Sequence, residues 1–411
     1  MNFHEIIALD KADPLAKKRF EFDLPANTIY LDGNSLGALP KAVKSKVAEV
    51  VSQQWGNDLI KSWNCHSWID LPIKVGEKIA HIIGAAQGQV ICCDSISVNL
   101  FKLLCSALQL NFGRTVVLST NDNFPTDLYL VQGLSDLLGP GLCQLQMVEE
   151  QYIEQHLTES VAVLLLTQVN FRTGELLDME KLTQLAHDKG ILVIWDLAHS
   201  AGALPVELDK CEVDFAVGCG YKYLNGGPGA PAFLYVAKRH QGVVNQPLAG
   251  WMGHAKPFAF DPKYIPAPNI NQFQCGTPSV ISMSALDAAL DVWQDVNLLQ
   301  IRHKSQALGD VFIGLIQMND CLHDLILISP DVAQQRGSQL AFSHNDAFAI
   351  CQALIEKGVV ADFRAPNILR FGFTPLYTSF EDIWLAVKKL VNIVESEHYK
   401  ERRFNVILKV T

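Results

Sequence analysis

The sequence predicts an α/β protein, with a mostly parallel sheet in a large domain and a smaller α+β C-terminal domain. Short apolar runs alternate with amphipathic stretches through the middle of the chain. The runs are apolar on both faces, as in a sheet covered by helices on both sides. From about Ser282 the pattern changes to longer helical segments and paired short strands. We therefore predict an N-terminal arm and helix over 1–55, a large domain over 56–281 and a small domain over 282–411.

The large domain contains several runs with strand character, rich in β-branched residues. A helix is predicted over 179–190 and is closed by Gly190. In the small domain one long helical pattern covers 283–317, and two further helices cover 345–358 and 380–394. The predicted strands of the large domain are 115–120, 142–148, 161–169, 191–196, 213–218 and 232–237.

Composition limits the classes of function. The chain has 411 residues, a formal net charge of -10 and no Lys/Arg-rich run, so a nucleic-acid partner is not expected. Its ten cysteines form no C-x-x-C pair and no Cys/His zinc spacing, so no metal site is predicted. The start lacks the apolar core of a signal peptide, and no apolar stretch approaches the roughly 18 residues of a membrane helix. Scattered free cysteines fit a reducing compartment. We expect a cytoplasmic protein that does not enter a membrane.

One lysine, Lys222, lies among glycines and prolines in the run GCGYKYLNGGPGAP, just after a predicted buried strand. A solvated loop lysine is the ordinary explanation. The carboxyl end of a parallel strand is, however, where α/β sheets bind ligands. A lysine that forms a Schiff base must be able to lose its proton, and burial favours the neutral amine. The other side chains at this edge of the sheet decide between the two explanations.

Further candidate residues are expected at the same edge. Asp196 and His199 follow one predicted strand, Phe124 follows another, and Ser95 and Ser97 precede a helix. Taken singly, each has an ordinary explanation: Asp196 as a helix cap, His199 as a hydrogen-bonded core histidine, the serines as caps and Phe124 as a core residue.

Taken together, these residues suit pyridoxal phosphate (PLP). A carboxylate such as Asp196 beside the pyridine nitrogen keeps the ring protonated and preserves its capacity to accept electrons. The helix N-terminus at Ser97 offers free N–H groups and a positive dipole end to a phosphate. An aromatic face, Phe124, covers the ring. Glycines beside Lys222 let the backbone approach the cofactor. The set predicts that Lys222 forms the Schiff base.

The chain resembles the kynureninase family, of bacterial type, in the class V branch of fold-type-I PLP enzymes. The resemblance covers nearly the whole length and implies the fold-type-I PLP-dependent transferase architecture. The lysine motif together with Phe-Pro-Thr-Asp is its most specific part. The similar segments are, in order, IYLDGNSLGALPK (29–41), DSISVNLFKLL (94–104), NFPTDLY (123–129), DLAHSAGALPVEL (196–208), GCGYKYLNGGPGAPAFLYV (218–236), GWMGH (250–254) and LRFGFTPLY (369–377).

The resemblance implies roles for individual residues. Lys222, Tyr221 and Asp196 would be catalytic: Lys222 carries the cofactor and moves protons, Tyr221 reaches the phosphate, and Asp196 holds the pyridine nitrogen. Trp251 and Thr277 would complete the phosphate end across the interface of a homodimer with shared active sites. The cofactor-binding residues would be Ile96, Ser97, Phe124, Pro125, Thr126, Asp127, Thr167, Asp196, His199, Tyr221, Lys222, Trp251 and Thr277. The substrate-binding residues would be Ser35, Trp63, Thr277 and Arg370.

The strand pattern supports Arg370 independently. In NILRFGF, Leu369, Phe371 and Phe373 fall on one face of a strand, and Arg370 and Gly372 fall on the other. Gly372 is expected to leave open space beside the guanidinium, whose planar fork suits a carboxylate. The alternative is a structural ion pair.

The reaction implied is hydrolysis of the Cβ–Cγ bond of L-kynurenine to anthranilate and L-alanine, in tryptophan catabolism through the kynurenine pathway and towards NAD biosynthesis. Trp63 and Thr277 imply a preference for kynurenine over its 3-hydroxylated form. One alternative is a cysteine desulfurase, selenocysteine lyase or aminotransferase. The desulfurase and lyase relatives usually have histidines where Phe124 and Tyr221 stand, and they need a mobile cysteine, whereas Cys351 falls on an apolar helix face. The other alternative is a non-catalytic PLP-binding regulator, for which the chain has neither spare length nor basic charge.

Overall fold

The computed structural model describes residues 1–406; the last five residues of the predicted small domain lie outside the described residues. The helices are α1 (Phe3–Ala12), α2 (Lys41–Glu49), α3 (Ser62–Cys65), α4 (Leu71–Ile82), α5 (Ile96–Leu110), α6 (Pro125–Leu138), α7 (Ile153–His156), α8 (Met179–His187), α9 (Val280–Ala289), α10 (Leu298–Gln317), α11 (Ala347–Glu356) and α12 (Phe380–Glu395). The strands are β1 (Ile29–Tyr30), β2 (Val90–Cys92), β3 (Val116–Thr120), β4 (Gln144–Val148), β5 (Val161–Thr167), β6 (Leu192–Asp196), β7 (Phe215–Cys219), β8 (Ala232–Val236), β9 (Ile326–Leu327), β10 (Gln339–Ser343), β11 (Val359–Val360), β12 (Asp362–Arg364) and β13 (Ile368–Gly372).

A seven-stranded sheet forms the centre of the molecule, in the order β2-β8-β7-β6-β5-β3-β4. The run from β7 to β4 is parallel, whereas β8 is antiparallel to both of its neighbours. The strands predicted in the large domain are observed as β3 to β8 with small shifts at their ends. The predicted α/β class with a mostly parallel sheet is confirmed.

Both faces of this sheet are buried, as their apolar runs predict. On β6, Val193 and Trp195 pack into one hydrophobic cluster, and Ile194 packs into a second cluster on the opposite face. Alternate side chains of a strand point to opposite faces, so helices must cover both. Burial on both faces explains why β5 carries no polar residue before Thr167 at its end.

The long helical pattern predicted over 283–317 is wrong as a single helix. The chain forms α9, a short 3-10 segment over Leu290–Trp293 and then α10. Asp295 has a left-handed φ of 63°, and the Asn297 side chain accepts a hydrogen bond from Leu299 N–H and so caps α10. These local interactions of Asp and Asn stop one helix and start the next.

The smaller sheet is antiparallel and has the order β12-β13-β10-β9. The N-terminal segment packs on this part of the chain: α1, which the sequence analysis did not predict, contacts α12, and β1 pairs with β11. By contrast, α2 packs on α9. The predicted boundaries at residues 55 and 281 stay a prediction.

The register of the large sheet places the candidate site. Thr167 at the end of β5 is directly paired with Asp196 at the end of β6. Lys222 follows the end of β7, the next strand. None of the helices found among residues 1–406 is both long and apolar enough to cross a membrane.

Candidate active site

A cavity of about 560 Å³ lies at the carboxyl ends of β5, β6 and β7 and at the start of α5. Cavities of this size hold cofactors and small substrates. The strand ends bring together side chains that are far apart in the sequence. The predicted site residues that line the cavity are Ile96, Ser97, Phe124, Thr126, Thr167, Asp196, His199, Tyr221, Lys222 and Thr277.

The remaining predicted residues do not line this cavity. Pro125 begins α6, and Asp127 is buried within its first turn. Trp251 is 38% exposed and packs edge-on against Phe258. The residues outside the lining are Ser35, Trp63, Pro125, Asp127, Trp251 and Arg370.

Lys222 is half-buried, and its ammonium lies 3.0 Å from Nε2 of His199. The Nδ1 atom of His199 lies 3.0 Å from Oε1 of Gln339, whose Nε2 donates to the carbonyls of Asn170 and Phe171. Oε1 is therefore an acceptor, so His199 must donate from Nδ1 and accept from Lys222 at Nε2. Burial, followed by the charges of Lys222 and Arg370, lowers the pKa of His199 well below its usual range. His199 is a neutral acceptor that orients the lysine.

Two buried carboxyl groups, Asp196 and Asp127, interact electrostatically, and Asp196 lines the cavity. Asp196 accepts a hydrogen bond from Ala198 N–H at 2.8 Å, so the capping explanation holds for one of its oxygens, although a turn rather than a helix follows. Burial raises the pKa of Asp196 to about 6, against the opposing effect of Lys222. Burial and the charge of Asp196 raise the pKa of Asp127 well above its usual range. Among residues 1–406, Oδ1 of Asp127 has no hydrogen-bond partner. A cationic N–H donor beside Asp196 and Asp127 would offset the repulsion between the two carboxyl groups.

The N-terminus of α5 forms another wall. The Ser95 hydroxyl accepts from Val98 N–H at 3.3 Å, so Ser95 is the helix cap. Ile96 and Ser97 fall in the first turn, where backbone N–H groups have no partner within the helix. These N–H groups and the helix dipole at the cavity are suited to binding an anion.

Phe124 is not a core residue, because it is 40% exposed and lines the cavity. It packs edge-on against Phe171, with ring centroids 5.2 Å apart and planes at 87°. Tyr221 is half-buried at the opposite wall, beside Lys222. An exposed aromatic side chain in a cavity wall, such as Phe124, is a surface on which a planar ring can stack.

The N-terminal motif closes over the lysine loop. Gly37 N–H donates to the carbonyl of Tyr221 at 2.8 Å. A Cβ atom at Gly37 would lie 2.2 Å from the carbonyl oxygen of Lys222, so only glycine fits there. This contact explains why the turn-rich segment 29–41 carries a glycine at this position.

Arg370 lies in an ion pair, which was the alternative to substrate binding. It is 1% exposed, and its guanidinium donates to the Asp362 carboxylate and to the carbonyl of Phe171. Asp362 is its direct neighbour on the adjacent strand and also accepts from Ser35 at 2.8 Å and pairs with Arg364 at 3.0 Å. Among the described residues, Nε of Arg370 has no partner. The contacts with Asp362 and Phe171 use both terminal nitrogens and leave only the Nε–H of the guanidinium without a partner among the described residues.

The expected strand faces around Arg370 are confirmed, but the expected open space is not. Leu369, Phe371 and Phe373 pack into the core of the small domain. A Cβ atom at Gly372 would lie 1.8 Å from Oδ1 of Asn34, so the N-terminal segment fills the space. The prediction considered one strand and could not include a segment more than 300 residues away.

Sequence reasoning missed Gln339 and Phe171. Gln339 is a buried amide at the start of β10, directly before the apolar run 340–342, and this polar position beside an apolar run was the available signal. Phe171 follows β5 in the run NFRTGE and lines the cavity. Both act through contacts that cross between the two sheets.

The residues fit PLP. Among the described residues, Oδ1 of buried Asp127 has no partner and could accept a hydrogen bond from a ring N–H. The N-terminus of α5 is suited to a phosphate, and half-buried Lys222 lines the same cavity. Asp196 and Asp127 would face the ring nitrogen, Phe124 the ring, and Ile96 and Ser97 the phosphate.

Comparison with known proteins agrees with this geometry. The family model described as the kynureninase C-terminal domain matches residues 301–390. Curated relatives named kynureninase include those of Deinococcus radiodurans, 50% identical over 96% of this chain and 97% of the relative, and of Pseudomonas fluorescens, 43% identical over 99% of both.

Solved structures with the same fold include a mutant of C-DES with glycine covalently linked to its PLP cofactor. It has a TM-score of 0.77 and 18% identity, and the match covers 91% of this chain and 99% of that one. A cysteine desulfurase from Thermococcus onnurineus has a TM-score of 0.75 and 19% identity, with 92% and 98% covered. At these identities the likeness shows the fold alone.

Proposed function

The chain belongs to the kynureninase family, and we propose that it hydrolyses the Cβ–Cγ bond of L-kynurenine to anthranilate and L-alanine with PLP as its cofactor. The observation that carries this is Lys222, held at 3.0 Å by neutral His199 in a cavity that also contains Asp196 and the start of α5. The test is incubation of the holoenzyme with kynurenine. Anthranilate fluorescence with equimolar alanine supports the proposal, and alanine formed only from cysteine contradicts it.

PLP, when bound, supplies a protonated ring that accepts electron density from the substrate carbon. Lys222 takes the proton from the substrate's Cα and holds it for return, because an amine released from its bond to the cofactor is a reusable base. Asp196 keeps the proton on the ring nitrogen. Tyr221 lies beside Lys222 and is placed to assist proton transfer. Water adds to the substrate's γ-carbonyl, and the Cβ–Cγ bond then breaks. Cγ leaves as the carboxyl group of anthranilate, and Cβ keeps the electron pair and takes up a proton to become the methyl group of alanine.

Arg370 is proposed to bind the substrate's α-carboxylate through its unpaired Nε–H. Arg370→Lys should lower kcat/KM for kynurenine roughly 10- to 100-fold, mainly through KM, because a single ammonium cannot pair with Asp362 and also present a donor at the Nε position. Arg336→Lys is the matched control, since Arg336 is equally buried and pairs with Asp310. If Arg370→Lys and Arg336→Lys had the same KM for kynurenine in steady-state kinetics, this role of Arg370 would be contradicted.

Trp63 and Thr277 are proposed to set ring preference. Both line a second, largely apolar groove of about 730 Å³, and Thr277 also lines the main cavity. An indole has one donor and a threonine one short hydroxyl, so a ring hydroxyl would lose water and gain little; an unpaired buried hydroxyl costs about 1–3 kcal/mol. Kynurenine should therefore have a higher kcat/KM than 3-hydroxykynurenine, by roughly tenfold to hundredfold. Trp63→His with Thr277→Asn should narrow or reverse this ratio.

The control for the ring preference is Trp55→His, because Trp55 lines the same groove without a predicted role in the site. This variant should keep the ratio of the unmodified enzyme. Equal kcat/KM for the two substrates in the unmodified enzyme would refute the assignment.

We also propose a homodimer with shared active sites. Trp55 and Ile281 at the groove are 56% and 42% exposed, and Phe258 and Phe260 near Trp251 are 62% and 76% exposed. Exposed aromatic and aliphatic surface of this kind is typical of subunit interfaces. It supports the homodimer without identifying which residues cross between subunits.

Mixing inactive Lys222→Ala with an inactive Trp251 variant should restore part of the activity, because one hybrid site then has all of its residues. Thr277 lines the cavity of its own chain together with Lys222, so it is left out of this test. Subunit exchange, followed with differently tagged chains, is the necessary control. Absence of recovered activity despite exchange would count against shared sites. For the cellular setting we propose the cytoplasm, because all ten cysteines are free, and a role in tryptophan catabolism.

A further inference from the structure

Lys102 is a fully buried lysine on α5 that the mechanism does not use. Its neighbours on the helix, Leu100, Leu103 and Leu104, belong to the apolar core. Its ammonium donates to the Asp94 carboxylate at 2.5 Å and to the carbonyl of Phe273 at 2.6 Å. A lysine on an apolar helix face is rarely buried unless it is paired.

The two partners of Lys102 belong to two different segments at the cavity: Asp94 lines it, and buried Phe273 directly precedes a segment that lines it. Asp94 directly precedes the start of α5 and lines the cavity, with a left-handed φ of 50°. Phe273 leads into the segment with Cys275 and Thr277, which also lines the cavity. One ammonium group therefore joins the loop before the anion-binding helix to the segment that carries Thr277.

The charge of Asp94 matters at this position. A carboxylate in the wall beside the N-terminus of α5 repels an anion that binds there. The Asp94 side chain is 31% exposed, so solvent weakens this repulsion without removing it. Lys102 cancels that charge from inside the core. Burial opposes its charged form, but Cys93 and Asp94 outweigh burial, and the pKa of Lys102 lies above its ordinary value.

We propose that Lys102 is a positioning residue for the cofactor phosphate: it neutralises Asp94 and holds the two segments at the phosphate site together. This inference rests on PLP as the cofactor of the proposed function. It assigns no chemical step to Lys102, which lies behind the cavity wall.

The two residues should affect cofactor affinity in opposite directions. Lys102→Met should weaken PLP binding about tenfold or more, because it leaves the Asp94 charge uncompensated beside the phosphate. Asp94→Asn keeps an acceptor for Lys102, removes the repulsion and should tighten PLP binding. The double variant should recover most of the loss. The measurement is titration of cofactor-stripped enzyme with PLP, followed by absorbance, with pyridoxal as the ligand that lacks the phosphate.

Lys304→Met is the matched control. Lys304 is also buried and pairs with Asp13 and the carbonyl of Pro375, away from the cavity. It should lose stability without losing PLP affinity, and pyridoxal should bind Lys102→Met as it binds the unmodified enzyme. If Asp94→Asn and Lys102→Met weaken PLP binding equally, or if neither changes it, the inference is wrong. If Lys102→Met does not fold, the PLP affinity of Asp94→Asn decides. Tighter binding supports the inference, and unchanged or weaker binding overturns it. No kynurenine is used, so these results are independent of the reaction test.

Discussion

Replacing Lys222 with alanine should abolish steady turnover, with a loss of at least about 10³-fold, because the variant has neither the amine that carries the cofactor nor the base. His199 would also lose the ammonium that it accepts from at 3.0 Å. The N-terminus of α5 remains, so PLP should still bind through its phosphate with lower affinity. The unmodified protein should be yellow as purified, and the variant should lose that absorbance band.

The covalent link gives a second test of the same residue. Borohydride reduction of the unmodified enzyme, followed by peptide mapping, should place the cofactor on the peptide that contains Lys222. Lys210→Ala is the control, since the Lys210 side chain is 63% exposed and pairs with neighbouring Glu207. It should keep colour, label and turnover. A label on any other lysine would end the assignment of Lys222.

Asp196→Asn should lower kcat roughly 10²- to 10³-fold while weakening PLP binding much less. The amide cannot balance a positive charge on the ring nitrogen, and loss of one partner from a buried charge pair costs about 3–5 kcal/mol. The phosphate end, at the start of α5, is unchanged. The cost should therefore appear in the chemical step, measured with saturating PLP and kynurenine.

Asp214→Asn is the matched control for Asp196. Asp214 is a buried carboxylate just before β7 that pairs with Arg239 and hydrogen-bonds His187 at 2.8 Å. Its substitution should lower the melting temperature without changing kcat. If Asp196→Asn kept near-normal kcat and lost only stability, Asp196 would be a turn cap and nothing more.

The family assignment also decides between enzymes that share the fold. The solved structures with high TM-scores include cysteine desulfurases, but the curated relatives with high identity are named kynureninase. The side chains at the cavity also differ from those expected of a desulfurase or lyase. Phe124 and Tyr221 line the cavity, and Cys351 is fully buried in α11, where it cannot serve as a mobile acceptor.

Local patterns in the sequence were sufficient for the fold class and for the centre of the site. Strand periodicity and apolarity on both faces predict a covered parallel sheet, and the polar residue that ends each strand is visible without coordinates. Lys222, Asp196 and His199 could be placed together because parallel strands end at one edge of a sheet. Each of these inferences depends on neighbouring residues and on general topology.

Contacts between distant segments were decided only by the tertiary structure. Gln339 fixes the donor pattern of His199 from 140 residues away, Asn34 fills the space expected beside Gly372, and Asp362 on a neighbouring strand pairs with Arg370. Lys102 donates to the carbonyl of Phe273, which is 171 residues away in the sequence, so only the folded structure shows how its buried ammonium is satisfied. Hydrophobic periodicity depends on nearest neighbours along the chain, whereas a buried polar group takes whichever partner the packed fold brings within hydrogen-bonding distance.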